Sequence, residues 1–220
     1  MSKENEMLKP KLLLSLALMM ALSVGGSVFA QEQISGPQSG ILGPGTYLVV
    51  GDIQVQRTAT LEIVPGTEFL HNGNWTWQIS GQLNAAGIEG DSIYFVRQNP
   101  IDAHRWGGIR FLAGASSAST LDYCVIDHCY HGLQPYYNNG GGIYSDGVAV
   151  SIRNTRVSNC SNYWDGGGIY AKAANVIIDR CLIVDNSAAS GSNGGGIFLK
   201  DCSEATVTYC VTARNSATGT

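Results

Sequence analysis

Asp122, Arg153 and Asp179 share one position of an internal repeat, and His128, Asn159 and Asp185 share another. Glycoside hydrolysis needs two carboxylates roughly 5–9.5 Å apart across the scissile bond. Stacked coils spaced like neighbouring strands put Asp122 and Asp179 about 9.6 Å apart, with Arg153 between them. The same residues also read as a solvated ladder of alternating charge, worth ~0–1 kcal/mol per pair, and this reading is preferred. His128 can exchange a proton near neutral pH. Asp185 lies two coils away from it, too far for a direct hydrogen bond. Asp122, Asp179 and His128 are therefore catalytic candidates without a complete constellation.

A second group suits binding. Three segments precede triple glycines: residues 131–139 with Tyr136 and Tyr137, residues 161–165 with Tyr163, Trp164 and Asp165, and residues 187–193. Coils stacked in register send these loops from one edge. That gathers four aromatic rings beside Asp165 and Asn138, offering flat apolar faces for pyranose rings and polar groups for hydroxyls. The competing reading has the rings packing on one another and covering the coil edge.

Other chemistries are excluded by pattern. No Lys-Ser/Thr follows the triple glycines, and each leads into a strand, so they are not phosphate loops. No C-x-x-C, H-E-x-x-H or calcium-binding nonapeptide occurs, so no metal site or cofactor is expected. Basic residues are scattered singly, which argues against a nucleic-acid partner.

The elements that must position these residues come from the repeat. Gly140-Gly141-Gly142-Ile143-Tyr144, Gly166-Gly167-Gly168-Ile169-Tyr170 and Gly194-Gly195-Gly196-Ile197-Phe198 recur 26 and then 28 residues apart. A period of that length means a solenoid in which each unit stacks on the next. Trp106-Gly107-Gly108-Ile109 is a weaker copy, so Ile109, Ile143, Ile169 and Ile197 are expected in one buried row. Upstream of each turn, nine columns align without a gap, from Leu121, Ile152, Ile178 and Val207 to Cys129, Cys160, Asn186 and Asn215. Leu121, Ile126 and their column mates belong inside. Asn186 over Asn215 predicts an internal amide ladder.

The stacking also puts Cys129 over Cys160 and Cys181 over Cys210, within disulfide reach. Buried free thiols are preferred to disulfides, because cysteine alternates with Thr and Asn in these columns. Upstream, short β-type runs separated by Gly, Pro, Asn and Asp extend the pattern from about Tyr47, giving about seven coils. Trp75, Trp77 and Trp106 there read as core or cap residues.

With 28 glycines, 10 tyrosines and only 14% charged residues, the chain suits an all-β exported protein. Its first 30 residues, with Lys3, Lys9 and Lys11, an apolar run and Val28-Phe29-Ala30, read as a signal peptide cleaved near Ala30. The protein is then secreted or on the outer cell surface, with no transmembrane helix in the mature chain. Residues 31–45 form a lead-in and 46–220 the solenoid. The repeat stops at Thr220, where earlier coils reach a glycine turn. The sequence is thus expected to be the N-terminal part of a longer product, or its open end to dock on a partner or end to end.

The Gly-Gly-Gly-Ile turns, with Ile183-Val184-Asp185-Asn186-Ser187-Ala188 and Thr212-Ala213-Arg214-Asn215-Ser216-Ala217, resemble the glycine and F-x-x-N motifs of polymorphic outer-membrane protein repeats. Residues 51–67 and the Trp106 turn are similar to the first coils of secreted bacterial β-helix proteins. Across about residues 45–220 the resemblance is to the right-handed parallel β-helix, or pectin-lyase-like, superfamily. The motif departs in having Ile183, Val157 and Thr212 where Phe stands, and Cys160 in place of one Asn. The resemblance implies either a non-catalytic surface protein recognising glycans or an enzyme on acidic polysaccharides. Calcium enters only if the chain is a lyase, and no residue matches a lyase's local arginine motif.

Overall fold

The computed structural model describes residues 31–132, 139–189 and 191–217, which form a parallel β-helix. Every pairing between its strands is parallel, each strand lying beside its counterpart one coil away. The first face holds seven strands, running from Gly40–Leu42 to Thr206–Thr208. That agrees with the seven coils expected.

In the later coils the chain turns through four faces. One such circuit runs Ser151–Arg153, Arg156–Ser158, Ser161–Asn162 and Ile169–Lys172. The third face is a four-stranded sheet that begins only at Tyr130–His131. In the first coils its place is bridged by one long strand, Gly45–Val55, which pairs with Thr67–His71 through its first half and with Trp77–Ile79 through its second.

Corners are made by single residues with left-handed backbone. Tyr123, Asn154, Arg180 and Tyr209 turn the first face into the second, and His128, Asn159, Asp185 and Arg214 turn the second into the third. Left-handed backbone costs a non-glycine residue ~1–2 kcal/mol. It is kept because the corner N–H groups of Tyr123, His128, Asn154, Asn159, Arg180 and Asp185 still reach the next coil, as from Asn154 to Asp179 O at 3.0 Å and from Asp185 to Ala213 O at 3.2 Å. The turn from the third face into the fourth is the triple glycine. Gly166 has φ +72°, and a Cβ on Gly167 would fall 2.3 Å from Ser187 O and 2.4 Å from Gly195 O. Close backbone approach, as well as bending, is what the glycines supply.

The interior follows the predicted columns. Ile109, Ile143, Ile169 and Ile197 pair in register, the first three sealed and Ile197 half-buried in the final described coil. Leu121, Ile152, Ile178 and Val207 likewise stack. Asn186 Nδ2 donates to Val157 O at 2.9 Å and to Asn215 Oδ1 at 3.0 Å, and Asn186 Oδ1 accepts from Cys160 N at 3.0 Å. The amide ladder therefore forms. Thr155 Oγ1 donates to Arg153 O two residues back and to Leu121 O one coil away. Cys124, Cys160, Cys181, Cys202 and Cys210 repeat that geometry with their thiols. This explains why Cys, Thr and Asn exchange in these columns: each places a side-chain donor there. All six thiols are free.

The early coils are filled by rings instead. Phe69 stacks between Tyr47 at 5.6 Å and Phe95 at 5.1 Å, with Trp77 edge-on to Phe69 and Phe95. His71 stacks on Trp106 at 4.1 Å, accepts from Trp77 Nε1 at 3.0 Å through Nε2 and donates through Nδ1 to Val96 O at 2.9 Å. Burial holds its imidazole neutral, with a pKa lowered to about 3. Trp77 and Trp106 are core residues, as expected, and Trp75 packs partly buried against the core.

Two expectations need correction. The stack starts before residue 46: Glu32–Pro37 already pairs with Gly45–Val55, and Gly40–Leu42 with Thr60–Ile63. Gly36, Pro37 and Gly40 concealed these short strands behind turn chemistry. The Asp122–Arg153–Asp179 row keeps its register but Arg153 pairs with neither carboxylate. Arg153 turns back to Ser151 Oγ, Asp122 accepts from Asn154 Nδ2 at 2.8 Å, and Asp179 accepts from Thr208 Oγ1 and Arg180 Nη1, each at 2.8 Å. The corner residues Asn154 and Arg180 reach the carboxylates before Arg153 can.

Candidate functional site

The described ends of the loops before the glycine turns share one edge, and a second ladder fixes them there. Asn139, Asp165 and Asn193 immediately precede Gly140, Gly166 and Gly194. Asp165 N donates to Asn139 Oδ1 at 3.1 Å, while Asn193 donates to Asp165 Oδ1 from its backbone at 2.7 Å and its amide at 3.0 Å. Asp165 O accepts from Gly140 N at 2.8 Å and Asn162 Nδ2 at 2.9 Å. Asp165 is thus the hub that pins the segment Ser161–Asp165, with one carboxylate oxygen committed to that role.

Between the pinned ends stand Tyr163 and Trp164. Their backbone is held by Tyr163 N to His131 O at 3.3 Å and by Ser192 Oγ to Tyr163 O at 3.2 Å. The two residues are 46% and 45% exposed and their rings meet edge to face, with centroids 5.4 Å apart at 75°. The two rings touch each other, yet both residues keep nearly half their surface in water, so they do not simply seal the coil edge. Tyr136 and Tyr137 lie outside the described residues.

The sequence reading missed Tyr130. It pairs with Ser161 on the third face, two residues before Tyr163, and is 40% exposed on the same edge. Arg105 lies over its ring at 5.2 Å and donates from Nη2 to Cys129 O at 2.9 Å and Ser161 Oγ at 2.6 Å. Adjacency to His131 was the available signal, but a loop assignment hid it; His131 is in fact a buried strand residue.

Beneath the loops, the outward side of the fourth face carries Arg110, Tyr144, Tyr170 and Phe198 one above another. Tyr144 and Tyr170 stack at 5.5 Å and 5°, and Arg110 lies over Tyr144 at 5.7 Å. The buried Arg110 guanidinium donates to Asn139 O at 2.7 Å and to Gly140 O, tying the glycine turn to the sheet. Burial lowers its pKa to about 9.

At the corner between the second and third faces, His128 gains the partner the sequence did not assign. Its Nδ1 contacts Asp127 Oδ2, the adjacent residue. Asp127 Oδ1 accepts from Ser158 Oγ at 2.7 Å and Asn159 Nδ2 at 2.8 Å. Although desolvation pushes the other way, these hydrogen bonds hold the Asp127 carboxyl below its ordinary pKa. The left-handed backbone at His128 is what brings neighbouring side chains together. Asp122 and Asp179 stay two strands apart across Arg153, each engaged by corner or strand neighbours, and the structure does not bring them to His128. Arg214 pairs with Asp185 one coil away, at 2.7 and 2.6 Å.

The right-handed β-helix region family matches residues 84–220, and the chain belongs to that family. Comparison with curated proteins and with solved structures finds no match. Among the described residues no helix is long and apolar enough to cross a membrane, and no group of three or more His, Cys, Asp and Glu is placed to hold a metal ion.

Proposed function

We propose that the protein is an exported or cell-surface, non-catalytic β-helix that recognises glycans through its loop edge. The observation that carries this reading is the Tyr163–Trp164 pair, held on a hydrogen-bonded backbone with both residues nearly half exposed. An ordered aromatic pair loses little freedom on binding and offers a pyranose both a face and an edge. Tyr130 extends the apolar strip by one coil. Export is supported by the apolar, lysine-led pattern of residues 1–30.

The test is a glycan array followed by calorimetry on the ligand found. Trp164→Ala is expected to weaken binding by about 1–2 kcal/mol with the melting temperature unchanged. An array without any bound glycan would remove the proposal.

A second reading, a polysaccharide lyase or hydrolase, draws on the Asp127–His128 pair, since a carboxylate that orients an imidazole is half of a general-base constellation. Incubation with pectate and alginate, with and without calcium, checks it. New reducing ends or unsaturated-product absorbance that disappear in His128→Gln would favour the enzyme.

A further inference from the structure

We propose that Asn72 is a self-modification site: in the folded protein its side chain cyclises onto Gly73 N, loses ammonia and is hydrolysed to aspartate and isoaspartate, while Asn139 keeps its amide. An Asn-Gly pair is open to this reaction because glycine has no Cβ to shield its N–H. Asn72–Gly73 and Asn139–Gly140 are two such pairs, and both have described coils on either side. Asn72 N donates to Val49 O at 3.4 Å and Gln98 N to His71 O at 2.8 Å, while Ile109 N donates to Gly142 O and Gly141 N to Gly166 O, each at 2.8 Å. The two pairs differ in what their reacting groups are bound to.

At Asn72 the nucleophile is free and the carbonyl is polarised. Trp75 Nε1 donates to Asn72 Oδ1 at 2.8 Å. An indole nitrogen only donates, so it settles which end of the amide faces the ring. That oxygen takes up negative charge when the amide carbon is attacked, and a fixed donor there lowers the barrier. Gly73 lets the indole approach, since a Cβ would meet Trp75 Cε2 and Nε1 at 3.0 Å. Among the described residues neither Gly73 N nor Asn72 Nδ2 has a hydrogen-bond partner. The bend around them is held by Trp75 N to Gly73 O at 2.8 Å and by Asn74 Nδ2 to Tyr130 O at 2.7 Å. Asn139 Oδ1 also accepts a bond, from Asp165 N at 3.1 Å, but its nucleophile is committed: Gly140 is buried and its N donates to Asp165 O at 2.8 Å. Attack there must first break the ladder.

The reaction balances with solvent water alone. Gly73 N gives its proton to hydroxide and bonds to Asn72 Cγ. The Cγ–Nδ2 bond breaks, and Nδ2 takes a proton from solvent and leaves as ammonia. Water then adds to either carbonyl of the cyclic imide: opening at Cγ restores the chain with aspartate, and opening at the main-chain carbonyl gives isoaspartate. The second product lengthens the backbone beside Asn74, whose amide braces Tyr130. No electrons are exchanged.

The experiment ages the full chain at mildly alkaline pH, folded and in urea, and maps amide loss by peptide mass spectrometry, with isoaspartate read by an isoaspartyl methyltransferase. The folded protein is expected to convert Asn72 while Asn139 stays an amide, and in urea the two sites should react at similar rates. Trp75→Phe keeps a ring and removes the N–H, so it should lose most of the folded-state reaction at Asn72 and none of the reaction in urea. The folded and urea arms on the unsubstituted chain decide the proposal should Trp75→Phe not fold. An intact Asn72 in the folded protein, Asn139 converted as fast, the same ratio of rates in urea, or a folded Trp75→Phe that reacts like the unsubstituted chain would each overturn it.

Discussion

The coils before Phe111 and those after Thr120 build the same solenoid from different materials. The early coils fill their interior with Phe69, Trp77, Phe95 and Trp106, and one strand runs unbroken from the second face into the fourth. The later coils use rows of Ile, Val, Cys and Asn, add a third face, and close with glycines whose backbones nearly touch. The early interior depends on ring volume, the later one on register. Only the later coils carry loops on a pinned edge, so the candidate site sits where stacking is most regular. Its rings can be presented to solvent because the core beneath does not need them.

Three perturbations test this contrast. Phe69→Ala removes a ring that stacks on two others and meets a third, and should cost ~3–5 kcal/mol in urea denaturation. Hydrogen exchange should quicken around residues 47–111 before it quickens in the later coils. Equal acceleration throughout would mean the two regions share one core.

The second perturbation is acid. His71 is neutral when folded, its pKa lowered from 6.5 to about 3, so below pH 6.5 only the unfolded chain takes up its proton. Its contribution is present above that pH and is lost as pH falls toward 3, at ~1.4 kcal/mol per unit, or roughly 5 kcal/mol across the window. Protonation of Asp127 adds its loss only lower, below the ordinary carboxylate range, because its folded pKa is depressed. His71→Gln should flatten the stability profile between pH 6.5 and 4, and an unchanged slope would refute the assignment.

Third, Gly167→Ala drives a Cβ into Ser187 O and Gly195 O at 2.3 and 2.4 Å. A cost of about 3 kcal/mol is expected, at the upper end of overpacking penalties, because backbone cannot swing aside as a side chain does. Exchange should quicken over the glycine turns while the early aromatic core is unaffected.

The contrast also explains what could be read from residues alone. Periodic rows are visible in sequence, so Ile109, Ile143, Ile169 and Ile197, the Asn186–Asn215 ladder and the shared loop edge were all legible. The aromatic core has no period. Trp77 replaces an isoleucine in the row through its pairing with Ile53 and Ile109, and His71 looked like any loop-flanking histidine. Corner conformation was hidden as well. Left-handed backbone at Asn154, Arg180 and His128 redirects side chains, which dissolved the Arg153 ion ladder and supplied His128 with Asp127. The Asn139–Asp165–Asn193 ladder was open to prediction, since each residue directly precedes a triple glycine, but the glycines drew attention away from it.

The most direct measurement uses the four tryptophans as internal controls for one another. Trp77 and Trp106 are sealed in the early core, Trp75 packs against it, and Trp164 stands on the loop edge. The protein labelled with 5-fluorotryptophan should show one fluorine resonance, assigned by its absence in Trp164→Phe, that shifts as glycan is added while the other three stay fixed. Binding that leaves the Trp164 resonance unmoved, or that shifts Trp75, Trp77 or Trp106 instead, would contradict the loop-edge account.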